Sequence, residues 1–88
     1  MASRTVIVGS SVGLHARPAT LVAQAAAEYD DDITLRLSDM DADDAVDAGS
    51  SMMIMTLGAE AGAEVVVESD NQEAVDAIAA LIEPDQDA

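Results

Sequence analysis

Asp30-Asp31-Asp32-Ile33-Thr34-Leu35-Arg36-Leu37 is the stretch on which the fold turns. Its strict alternation after the acidic break puts Ile33, Leu35 and Leu37 on one face of a strand and Thr34 and Arg36 on the other. Upstream, Leu21, Val22, Ala25, Ala26 and Tyr29 fall on one helical face. They predict a helix from about Ala16 to Tyr29, with Pro18 tolerated because it lies in the first turn. Further upstream, the segment Arg4 to Gly9 carries the β-branched run Thr5-Val6-Ile7-Val8, which reads as an opening strand closed by glycine and serine. Downstream, Asp39 to Asp43 reads as a solvated turn, and Asp44 to Ala48 as a short return strand with Val46 inward.

Ser50-Ser51-Met52-Met53-Ile54-Met55-Thr56-Leu57-Gly58 has the form of a capped helix of about two turns ended by glycine. Ala63 to Glu68 alternates again as a strand, with Glu64 and Glu68 on its more polar face. Asp70-Asn71-Gln72-Glu73 has capping-box spacing with Asp in the place of Ser or Thr. The apolar stripe Ala74, Val75, Ile78, Leu81 and Ile82 follows, and Pro84 ends that helix. Neither an internal repeat nor a linker is visible. The expectation is one domain over residues 1–88, with 85–88 a frayed tail. The element order βαββαβα makes an α+β fold: an open-faced two-layer sandwich, with a four-stranded antiparallel sheet carrying three helices on one face.

Composition limits what such a domain does. At 88 residues there is little interior to hollow out for a deep substrate pocket. The formal charge is −15, with Arg4, Arg17 and Arg36 the only basic side chains apart from one histidine. Nucleic acid is an unsuitable partner, because its binding depends on clustered Lys and Arg neutralising phosphates. Acidity combined with periodic apolar segments reads as a folded, halophilic protein of haloarchaeal type rather than a disordered one, and it predicts salt-dependent folding. The same charge favours a monomer. Without cysteine there is neither a disulfide nor a thiolate metal site, and one histidine does not make a zinc site. Met1-Ala2-Ser3-Arg4 lacks an apolar signal core, and the run around Met52 to Leu57 is too short for membrane insertion, so the expected location is cytoplasmic.

The chemistry is concentrated in Gly13-Leu14-His15-Ala16-Arg17-Pro18-Ala19-Thr20. His15 stands at or just before a helix start. The free N–H groups of that first turn, at Ala16 and Arg17, and the positive end of the helix dipole favour an anion there. Arg17 adds a guanidinium able to fork onto phosphate oxygens. A nucleophilic imidazole beside a phosphate cradle points to a histidine that carries a phosphoryl group.

This octapeptide resembles the active-site signature of the histidine-containing phosphocarrier family, HPr, of the sugar phosphotransferase system. Element order, length and the placement of the segment Ser50 to Gly58 agree with that family over nearly the whole chain. The resemblance implies a phosphohistidine at Nδ1 of His15, phosphate stabilisation by Arg17, enzyme I as donor and a sugar-specific enzyme II A component as acceptor. Phosphoenolpyruvate is then the ultimate phosphoryl source, and no cofactor is needed. Fructose and dihydroxyacetone systems come by analogy. Two departures stand out: the segment Asp39 to Asp44 is longer than the family's usual hairpin connection, and the basic surface commonly offered to enzyme I is missing. Docking through apolar contacts and the Arg17 region at high salt is the expected substitute.

Ser50 matches a position that some family members have phosphorylated by a regulatory kinase, and it also serves as an ordinary helix cap. Met52, Met53 and Met55 are too many for one side of a short helix, so some are expected in the core. Met52 and Met55 are, by resemblance, the partner contacts. Two other readings stand beside the carrier: a regulatory module of the same fold whose phosphorylation state controls a partner, and a small acidic structural or ligand-binding domain with an incidental histidine.

Overall fold

A computed structural model describes residues 2–9, 13 and 16–83, with Ala16 by its backbone alone. The strands are β1 (Ala2–Ile7), β2 (Ile33–Leu37), β3 (Val46–Asp47) and β4 (Glu64–Ser69). The helices are α1 (Ala16–Ala26), α2 (Ser51–Thr56) and α3 (Gln72–Ile82), and a 3-10 turn spans Ala42–Asp44. The expected α+β sandwich and its element order are what the chain forms.

All strand pairs are antiparallel, in the order β1-β4-β2-β3. The first strand therefore lies beside the last and forms one edge of the sheet. Register places Leu35 opposite Val67 on one side and Val46 on the other, and Val6 opposite Val65. These side chains are buried on the helical face with Val22, Ile54, Val75, Ile78 and Ile82. The opposite face of the sheet is polar, and Val66, flanked by Thr5 and Arg36 in the register, lies outside the core cluster. Helix α3 packs on β1 and β4, α1 packs on α3, and α2 packs on α1 and β3.

Several boundaries differ from the sequence-based expectation. α1 stops at Ala26 instead of running to Tyr29, because Glu28 N–H turns to the Ala25 carbonyl and Tyr29 N–H to that of Ala26, tightening the last turn. β1 ends at Ile7, although Val8 is buried and its N–H still bonds the Ala63 carbonyl at 2.9 Å. The return strand shrinks to Val46–Asp47, with Val46 inward as expected. The solvated turn of Asp39 to Asp43 runs into the 3-10 turn Ala42–Asp44, which takes Asp44 out of the expected strand, and it is anchored by Arg36, whose Nη1 donates to the Met40 carbonyl at 3.0 Å. Arg36 also pairs with Glu68 at 3.3 Å.

The cap of α3 is Asn71 rather than Asp70. Asn71 Oδ1 accepts from Glu73 N–H at 3.0 Å and from Ala74 N–H at 3.3 Å. β4 extends to Ser69, opposite both Ala2 and Ile33, so the chain reaches the helix start one residue later than the capping-box spacing suggests. The buried stripe of α3 is Ala74, Val75, Ile78, Ala79 and Ile82, with Leu81 on its flank. Pro84 and the segment 85–88 lie outside the described residues.

Candidate functional site

Helix α1 begins at Ala16, where the amphipathic pattern puts it. Pro18 and Ala19 are buried and pin the first turn to the body of the domain, while Arg17 between helix start and proline is exposed. No acidic residue occupies the first turn, so nothing within the helix offsets the positive end of its dipole. Arg4 pairs with Asp76 at 3.7 Å and Arg36 with Glu68 at 3.3 Å. Among the described residues Arg17 has no such partner, in a chain with 18 acidic side chains. An exposed guanidinium with no ion-pair partner among the described residues, in the first turn of a helix, is a group able to fork onto an anion. His15 itself lies outside the described residues.

Gly13, two residues before His15, is buried in the left-handed region at φ 74°. Its α-carbon lies against the Ala59–Glu60 backbone so closely that an added Cβ would fall 2.4 Å from the Ala59 carbonyl oxygen. Sequence reasoning did not single out this contact. The glycine was visible, but its meeting with a residue far along the chain was not.

α2 presents the second group of predicted residues. Ser50 is its N-cap, and its Oγ accepts from Met53 N–H at 3.3 Å, as the capping reading expects. The expectation that some of the methionines join the core is incorrect: Met52, Met53 and Met55 are 75%, 44% and 37% exposed. Ile54 and Leu57 are buried instead, because a helix this short turns only one narrow side to α1 and β3. Leu21 of α1, placed on the buried face by the sequence pattern, is 39% exposed; Ala19, Val22 and Ala26 form the true buried stripe. The packed pair α1 and α2 thus carries exposed apolar side chains on both helices, with Leu21 joining Met52, Met53 and Met55 at the surface. Its signal was available, since Ala19, Val22 and Ala26 alone satisfy the 3–4 spacing.

A shallow depression of about 260 Å³ at the end of β2 is lined by Leu37, Ser38, Asp39, Ala63 and Glu64 and contains none of the predicted site residues. No helix among the described residues is long and apolar enough to cross a membrane.

The fold and the helix start together define a small α+β domain of order βαββαβα with an exposed arginine in the first turn of its first helix. Residues 2–84 match the family model described as the PTS HPr component phosphorylation site. Among solved structures, the phosphocarrier protein HPr from Bacillus anthracis shares 30% identity at a TM-score of 0.82, the match covering 93% of this chain and 96% of that one. HPr from Thermoanaerobacter tengcongensis shares 33% identity at a TM-score of 0.81, covering 93% and 91%. The catabolite repression containing protein Crh from Bacillus subtilis shares 31% identity at a TM-score of 0.62, covering 93% of each chain. The chain belongs to the HPr family, and its role is that of a phosphocarrier of the phosphotransferase system.

Proposed function

We propose that His15 accepts a phosphoryl group from phosphorylated enzyme I and passes it to a sugar-specific enzyme II A component in the cytoplasm, with phosphoenolpyruvate the ultimate source. The observation that carries this reading is Arg17: exposed, unpaired among the described residues, and in the first turn of a helix whose start follows His15 directly. The lone pair of neutral Nδ1 attacks phosphorus, and the N–P bond forms as the bond to the donor breaks. On meeting the acceptor the same N–P bond breaks and the imidazole is regenerated. Imidazole suits both directions, being a competent nucleophile and a good leaving group, whereas a serine ester would be too inert. Arg17 and the N–H groups of Ala16 and Arg17 neutralise charge on the phosphoryl oxygens; positioning and charge neutralisation are what such a transfer mainly requires.

Docking in this reading is apolar. Met52 and Met55 offer polarisable thioethers that adapt to more than one partner, which a relay between two proteins requires. The monomer is the working unit, and Ser50 serves as a helix cap.

The test is incubation with phosphoenolpyruvate and a cognate enzyme I in molar potassium chloride, read by intact mass and acid lability. One acid-labile phosphoryl group, absent from His15→Ala, is the expected result. No labelling of a folded sample by an active enzyme I would overturn the assignment.

A further inference from the structure

We propose that Gly13 is a positioning residue for phosphoryl transfer, keying the segment that leads to His15 onto the backbone of Ala59 and Glu60. The inference rests on the reading of His15 as the phosphoryl acceptor. Two independent features meet at this glycine. Its φ of 74° lies where only glycine is comfortable, and a Cβ would stand 2.4 Å from the Ala59 carbonyl oxygen and 2.9 Å from the Glu60 α-carbon. Both obstructing atoms are backbone, so no side-chain rotation clears them.

The connector carrying Ala59 and Glu60 is itself held. Val8 N–H donates to the Ala63 carbonyl at 2.9 Å, Gly62 N–H donates to the Val8 carbonyl at 2.9 Å, and Ala63 N–H donates to the Glu60 carbonyl at 2.9 Å. Gly9 N–H bonds the Ile82 carbonyl at 3.1 Å, tying the chain beyond β1 to the end of α3. The connector thus grips the chain at Val8 and again at Gly13, while Pro18 and Ala19 anchor it beyond His15. Ordinary contact begins near 3.4 Å, so a methyl group at position 13 forces a displacement of about 1 Å against a connector held by these hydrogen bonds. Displacements of that size at a reacting centre cost up to about 100-fold in rate.

Gly58 supplies the control, because it shares a positive φ of 65° one residue before Ala59 but has nothing within 4 Å of its Cβ position. Three variants are compared in molar potassium chloride with enzyme I and phosphoenolpyruvate: Gly13→Ala, Gly58→Ala and His15→Ala. Folding is followed by circular dichroism, and kcat and KM for this chain as substrate of enzyme I are measured separately. The expected result for Gly13→Ala is kcat lowered about 10- to 100-fold with KM within about twofold, and full acid-labile labelling at long times. Gly58→Ala should keep kcat within about twofold, since it carries the strain without the occlusion.

A folded Gly13→Ala protein with wild-type kcat would overturn the proposal, as would equal losses in Gly13→Ala and Gly58→Ala. If His15→Ala is labelled like the wild type, the acceptor assignment itself fails, a separate outcome. Should Gly13→Ala not fold, Glu60→Gly against Glu60→Ala decides: Glu60 is exposed, so both remove the same charge, and only glycine loosens the backbone under Gly13. A kcat at least threefold lower for Glu60→Gly than for Glu60→Ala supports the proposal, and equal values overturn it.

Discussion

Raising potassium chloride from 0.1 to 1 M should stabilise this domain more than any single side chain does. The net charge of −15 is packed into a body with a radius of gyration of 11.1 Å. Smeared over the equivalent sphere of about 14 Å radius, its Coulomb self-energy is about 13 kcal/mol at a Debye length of ~10 Å and about 6 kcal/mol at ~3 Å. The unfolded chain, with a radius of gyration near ~29 Å, carries only about 3 and about 1 kcal/mol under the same conditions. The electrostatic cost of compaction thus falls from about 10 to about 5 kcal/mol, a gain of roughly 5 kcal/mol set against total stabilities of ~5–15 kcal/mol. The ion pairs among the described residues do little to offset this, since Arg4–Asp76 is exposed and Arg36–Glu68 is one half-buried pair. Urea is the denaturant to use, being uncharged, and far-ultraviolet circular dichroism the probe, because the chain has one tyrosine and no tryptophan. With a urea slope of ~1–2 kcal/mol/M, the midpoint should move upward by several molar. A midpoint unchanged within ~0.5 M would refute the reasoning, since it would mean that self-repulsion does not limit the compact state.

Ile54→Ala should cost about 2–5 kcal/mol in urea unfolding, because Ile54 is the fully buried residue of α2, whereas Met52→Ala should stay within about 0.5 kcal/mol. In transfer assays the order reverses for docking: Met52→Ala should raise KM for enzyme I while leaving stability alone. Asn71→Ala should cost about 1 kcal/mol through loss of the α3 cap, with Asp70→Ala within about 0.5 kcal/mol, both read by urea midpoint. A larger effect at Asp70 would move the cap back to where the capping-box spacing put it.

Elements whose pattern is local were legible. Ile33 to Leu37 alternates because one face of the sheet is covered and the other is wet, and the spacing of Val75, Ile78 and Ile82 reflects burial on one side of a helix. The likeness of Gly13 to Thr20 to a phosphocarrier signature was also readable, since three side-chain types and a helix start lie within one turn of chain. The cap of α3 was not: Asp70 and Asn71 are both competent caps, and the choice depends on how far β4 stays paired with β1 and β2.

Periodicity by itself determined that strands and helices exist and roughly where they lie, because those properties depend on neighbours a few residues apart. Only the tertiary structure decided that β1 pairs with β4 at the sheet edge, and that α2 sinks Ile54 while exposing all three methionines. It alone brought Gly13 against Ala59 and Glu60. Each of these is a meeting between segments distant in the chain, settled by how the helices pack over the sheet, and no local pattern of apolar and polar residues encodes it.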